Sequence, residues 1–282
     1  MRLHTKILMW VFTFGCGADT DQSKVFDYDS GMIESILADV SNDLDQDTIS
    51  STDGKLSGRW AQKTQLSGIA EVPVLGFQRT DTIGLALVDI YTEFDSNWAT
   101  VKNCQTSIER DDDIVTTDIP QAFIDSLPVY FRGVFVSENT IKFSKMVELN
   151  GINLKDPLND LLPTDPNDER IYDQDLDGHP GVTVFVNGLV SGQIHLIQRT
   201  ITDLSGSQNG RTIEGQVRWR IDESILGTDQ PLLSMGAPIT PNPNPDLSRF
   251  QLIKVSDELT CAELIESEGS LFNPTSEPIF SD

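Results

Sequence analysis

Positive charge is scarce in this 282-residue chain: 20 Lys and Arg stand against 44 Asp and Glu, a formal net charge of −24. A surface this acidic argues against nucleic acid, whose phosphates need a clustered positive partner, and against polybasic docking on anionic lipid. Histidine is nearly absent, with 3 residues, and none belongs to an H-E-x-x-H pair; no G-x-S-x-G elbow occurs either. Cysteine is equally rare: Cys16, Cys104 and Cys261 are the 3 in the chain. They form no C-x-x-C and no cluster with zinc spacing. Long apolar runs are missing too. Ile7 to Phe14, broken by Thr13, is far below the roughly 20 residues that span a bilayer as a helix. The hydrophobic share, 38%, still suffices for the core of one large domain or two small ones.

What is present begins with an address. Arg2 and Lys6 precede the Ile7–Phe14 run, the order of a secretory signal, and Gly15-Cys16-Gly17 follows it. This junction resembles that of bacterial lipoproteins, in which the cysteine is acylated and becomes the new N-terminus. The resemblance implies a signal peptide over 1–15, lipidation at Cys16 and an outer-membrane or surface destination, the membrane being reached through the anchor alone. Two or more acyl chains hold a protein stably where one does not. Residues 16–54 then read as an acidic tether, ten acids against Lys24 alone from residue 17 on, with Ile33, Ile36, Leu37, Val40 and Leu44 at helical spacing. With Cys16 lipidated, Cys104 and Cys261 remain as an even pair in an exported chain and are expected to bridge. That bond would close a loop of about 156 residues, for which chain entropy gives roughly 5 kcal/mol.

From residue 55 to 262 the composition predicts an all-β body. About nine segments rich in Val, Ile, Thr and aromatics are separated by Gly, Asn, Asp or Pro. Val217, Trp219 and Ile221 alternate with Gln216, Arg218 and Arg220, giving one dry and one wet face. Asn209-Gly210 is a hairpin signal. The expected architecture is an antiparallel barrel, calycin-like, or a sandwich; closure removes exposed edges in a chain with few basic residues to guard them. Residues 263–282 read as a flexible tail.

One segment carries site chemistry. Asp173-Gln174-Asp175-Leu176-Asp177-Gly178 is a D-x-D-x-D-G run. Carboxylates at alternate positions of a curling loop converge, and hard oxygen ligands suit Ca²⁺, with the His179 carbonyl as a fourth donor. Position 12 of the loop, where an EF-hand needs a bidentate Glu, is Val184, so the expected ion is structural and weakly held. Without metal the same loop could be held by Asx-turns.

Asp173–Val184, taken with Gly58-Arg59-Trp60-Ala61, Gln198-Arg199 and Ser248-Arg249-Phe250, resembles a group of uncharacterised bacterial surface lipoproteins with an acidic tether and a β-rich body. The resemblance implies location and fold and carries no activity. Three functions remain open at this point. They are a non-catalytic binding or structural module on the envelope, a calycin-like carrier of a small apolar ligand with Trp60 and Trp219 lining its cavity, and a hydrolase using paired carboxylates. No individual residue is assigned a catalytic role.

Overall fold

The computed structural model describes residues 56–72, 76–110, 115–188 and 190–272; the signal segment, Cys16 and the acidic tether lie outside the described residues. The chain is all-β. Its strands are β1 (Gly58–Val72), β2 (Gly76–Glu93), β3 (Ser96–Arg110), β4 (Val115–Asp118), β5 (Tyr130–Ser137), β6 (Thr140–Asn150), β7 (Val182–Gly188), β8 (Gly192–Asn209), β9 (Thr212–Thr228), β10 (Ile239–Pro241) and β11 (Arg249–Lys254). Two short α-helices, α1 (Gln121–Ser126) and α2 (Cys261–Phe272), and two 3-10 turns, Pro231–Met235 and Pro245–Leu247, complete the described elements. Among the described residues no helix is long and apolar enough to cross a membrane.

Eight strands pair in the order β8-β6-β5-β3-β2-β1-β11-β9, and β9 returns to β8, so the sheet closes into a barrel-like ring. Tight turns set its hairpins. Asn209 pairs with Thr212, so the turn falls on Gly210-Arg211, with Gly210 at φ 60°. The hairpin signal is therefore real, but Asn209 is the last paired residue rather than the first turn residue. In the β2–β3 turn, Phe94 and Asp95 both take positive φ, 49° and 60°.

β8 organises one wall. Its second half pairs with β6, from Gln198 opposite Asn150 to Ser207 opposite Thr140, while its first half pairs with β7, from Leu196 opposite Val182 to Gly192 opposite Val186. The chain leaves the ring after Asn150, makes a long excursion through residues 151–181, and re-enters beside the same strand. Arg199 fastens that excursion to the outer wall, donating from Nη1 to the carbonyls of Pro157 and Asp160 at 3.1 and 2.8 Å and from Nε to Asp222 at 3.0 Å. Its neck is a backbone contact: a Cβ on Gly151 would lie 2.4 Å from the Cα of Gly181, and both glycines have positive φ, a position few other residues tolerate.

Inward residues alternate along the strands, changing phase at bulges such as those in β3 and β6, but the interior is filled at one end only. There Trp60, Val88, Ile90, Tyr130, Val134, Ile141, Phe143, Leu204, Val217, Phe250 and Leu252 pack into one buried cluster. On the outside, a bulge between Leu85 and Ala86 in the β2–β3 register lets Cys104 fall out of pairing. Cys104 joins the outer cluster of Ala61, Leu85 and Leu87 that α2 covers with Leu264 and Phe272.

Two expectations about the chain's end are resolved here. The Cys104–Cys261 disulfide is present, with Cα atoms 5.1 Å apart and a sequence separation of 157. The flexible tail expected from residue 263 is corrected up to Phe272. Those residues form α2, whose start is a reciprocal cap: Glu263 Oε2 accepts from the Thr260 N–H at 2.8 Å, and Thr260 Oγ1 accepts from the Glu263 N–H at 3.3 Å.

Candidate functional site

Above the packed end, the ring encloses a cavity of about 370 Å³, within the size range of small-molecule sites. β1 contributes Gln62, Thr64 and Leu66, β2 Thr82, Gly84 and Ala86, and β3 Val101, Asn103, Thr106 and Ile108. The bulge at Cys104 is what keeps the inward series of β3 on one face on either side of it. The far wall is apolar. Val182, Val184, Ile194 and Leu196 meet Phe123 and Ile124 of α1, and Leu232, Leu233 and Ile239 come from the segment after β9.

Next to it along β8, a polar wall spreads over three adjacent strands: Glu148 and Asn150 on β6, Gln198, Thr200 and Thr202 on β8, and Glu223 on β9. The register places Glu148 opposite Thr200 and Asn150 opposite Gln198, and Gln198 in turn opposite Glu223. Asn150 donates from Nδ2 to Gln198 Oε1 at 3.2 Å, leaving its buried Oδ1 without a partner among the described residues. Arg132 of β5 closes the floor at 2% exposure. Its Nε and Nη2 donate to the carbonyls of Ser144 and Thr202 at 2.9 and 3.1 Å, and its guanidinium sits 5.8 Å from the centre of the Phe143 ring.

Burial governs the charges here. It pushes Glu148 up to about 7, against the pull of Arg132 and the nearby Asn103 amide. It also lowers Arg132 to about 10, against the attraction of Glu148 and Asp203. Glu223 is likewise raised by burial. Glu148 keeps some accessible surface, but that surface faces the enclosed space, so the carboxyl is poorly solvated all the same.

Of the two tryptophans expected to line a cavity, Trp219 does so, its Nε1 donating to Ser248 Oγ at 3.0 Å. Trp60 is corrected: it is 0% exposed in the packed end and donates to the Leu56 carbonyl at 2.8 Å. Among the residues that sequence reasoning missed, beside Asn150 and Glu223, are Arg132 and Glu148. Their signal was a lone charge at the inward position of an apolar strand, as in Tyr130-Phe131-Arg132-Gly133-Val134.

The Asp loop forms a second, separate centre. Asp173, Asp175 and Asp177 each place a carboxylate oxygen within 4.8 Å of the others, a group that could hold a metal ion. Asp173 accepts from the N–H groups of Asp177 and Gly178 at 3.2 and 2.9 Å, and Asp175 Oδ2 accepts from the Thr183 N–H at 2.8 Å. Asp175 Oδ1 is buried without a hydrogen-bond partner among the described residues. Burial first, then repulsion from Asp177 and Asp173, raises the Asp175 carboxyl. Burial pushes Asp177 up too, but hydrogen bonds from Thr183 and the His179 N–H outweigh it and leave it lowered. His179 stacks on His195, ring centres 3.9 Å apart, and His195 shares a 2.8 Å hydrogen bond with Thr183. Neither histidine lines the cavity.

Comparison with protein-family models, curated proteins and solved structures finds no match for this chain.

Proposed function

We propose that this protein is a non-catalytic binding protein that carries a small, largely apolar molecule inside its ring. The carrying observation is the half-filled interior: one end is packed with large side chains while the other encloses about 370 Å³ between an apolar wall and a band of polar groups. A structural module gains nothing from such a space, since an unfilled interior forfeits packing. The residues of the amino-terminal signal and Cys16 support the further reading that the carrier is exported and held at the cell envelope by lipid.

Gly84 supplies the test. It lines the cavity, and a Cβ there would meet nothing within 4 Å. Gly84→Leu therefore sends a side chain into the space from a Cβ that meets no neighbour. The neutral fluorophore N-phenyl-1-naphthylamine is expected to bind the wild-type chain and to lose at least about tenfold in affinity, ~1.4 kcal/mol, in the variant. Circular dichroism should show an unchanged β spectrum. Equal binding by both proteins, or none by the wild type, would remove the carrier reading.

For the Asp loop we propose Ca²⁺ in a structural role. Three converging carboxylates and the orphaned Asp175 Oδ1 are hard oxygen donors short of a cation, and the loop opens directly into β7, a wall of the cavity. With an expected Kd on the order of 10⁻⁴–10⁻³ M, about 10 mM Ca²⁺ should stabilise the fold by about 1–3 kcal/mol. Thermal melts with calcium and with EDTA read this directly. The shift should disappear in Asp175→Asn; identical melting temperatures in calcium and EDTA would sink the assignment.

A further inference from the structure

Resting on the carrier reading above, we infer that the cavity takes an amine-headed amphiphile, an apolar body ending in an ammonium group lodged between Glu148 and Glu223. The two acids flank β8 from opposite sides. Glu148 of β6 lies opposite Thr200 of β8, and Glu223 of β9 lies opposite Gln198 of β8, so both line the interior at levels two residues apart along β8. Between them on β8 lie Gln198 and Thr200, and opposite Gln198 on β6 stands Asn150, whose side-chain oxygen is buried, unpartnered among the described residues and able only to accept.

The cation already at this level is committed elsewhere. Arg132 spends Nε and Nη2 on the carbonyls of Ser144 and Thr202 and lies over Phe143, at the boundary of the packed end. Arg110 also lines the cavity, but it stands seven residues beyond Asn103 on β3, roughly 20 Å along the strand, at the other end. The middle of the polar wall thus offers two carboxyls and a bare amide oxygen, where Arg132 contributes attraction to Glu148 but spends its Nε and Nη2 hydrogen bonds on carbonyls. Acceptors in such surplus select a ligand that brings donors. An ammonium brings three and a charge, and ion pairing in a poorly solvated site requires those extra hydrogen bonds to offset desolvation. Burial holds both acids above the ordinary carboxylate range, a desolvation cost that a bound cation would offset. Beyond the acids, Val182, Leu196, Ile225 and Phe123 offer apolar surface to the ligand's body.

Decylamine, decanol and decanoate share one tail and differ at the head. Isothermal titration of the purified full chain with each, at about pH 8, above the value of about 7 to which Glu148 is pushed, separates the readings. The amine should bind at least about tenfold tighter than the alcohol, ~1.4 kcal/mol, and decanoate most weakly. Glu148→Gln combined with Glu223→Gln should erase the amine's advantage while leaving decanol binding intact, which also shows that the variant has folded. Tightest binding of decanoate would overturn the inference in favour of an anion on Arg132. Equal binding of all three would overturn the ammonium head and leave the carrier standing. Binding of none would overturn both.

Discussion

Removing the Cys104–Cys261 bond, by Cys104→Ser, Cys261→Ser or reductant, lowers the unfolding free energy by about 2–5 kcal/mol. The upper part of that range is expected because the sequence separation is 157 and loop-closure entropy grows with loop length. The bond also decides where unfolding starts. α2 lies on the outer wall through Leu264 and Phe272 against Ala61, Leu85 and Leu87, with a salt bridge from Lys63 to Glu268 at 2.8 Å. That is a small interface for a 12-residue helix, and exposed ion pairs add little. Without the tether, α2 should undock before the ring opens. Urea titration should show a lower midpoint for either single variant and no further loss in the double variant, since both remove the same bond. Limited proteolysis of the reduced protein should cut first around residues 255–272. A midpoint unchanged within about 0.5 kcal/mol, the scatter of ordinary surface substitutions, would show that the crosslink constrains nothing.

The closed, antiparallel character of the fold was readable because it follows from local composition: strand-length apolar runs, turn residues between them, and few basic residues to guard open edges. The Asp loop was readable for the same reason, since its three carboxylates lie within five residues of one another. What escaped was non-local or too short. β4 and β10 span four and three residues, below the length at which alternation can be seen. α2 followed a Thr260-Cys261-Ala262-Glu263 capping box, a signal hidden by reading the acidic end as solvated tail. The tryptophans show a subtler limit. Alternation tells which face a residue takes but not its height in the ring, so Trp60 and Trp219 looked equivalent although one sits in the packed end and the other beside the cavity. Arg132 and Glu148 were the hardest. A charge within a strand normally marks the wet face, and only the closure of the ring, set by the β9–β8 and β1–β11 pairings, turns those positions inward.

The same buried pair predicts that Glu148→Gln makes the protein more stable at neutral and alkaline pH, contrary to the usual cost of deleting a charged partner. Glu148 titrates near 4.5 in an open chain and at about 7 in the fold, so between those values the folded state binds more protons than the unfolded one. Stability then falls as pH rises. The group contributes no penalty below about 4.5; the loss accumulates as the unfolded chain ionises first and is complete above about 7. Its full size is on the order of 3 kcal/mol, and it already includes the attraction of Arg132, which pulls the other way and is outweighed by burial. Arg132 itself stays protonated, lowered only to about 10, with Asp203 still attracting it and two carbonyls accepting its N–H groups, so a neutral amide at position 148 does not strand it. Urea midpoints should therefore coincide for wild type and Glu148→Gln near pH 4 and diverge in favour of the variant by about 1–3 kcal/mol near pH 8. Glu223, raised in the same direction, leaves the variant with a residual slope. A variant less stable than wild type at pH 8 would mean that the carboxylate is well compensated in the fold by Arg132, and that the interior has no deficit of positive charge.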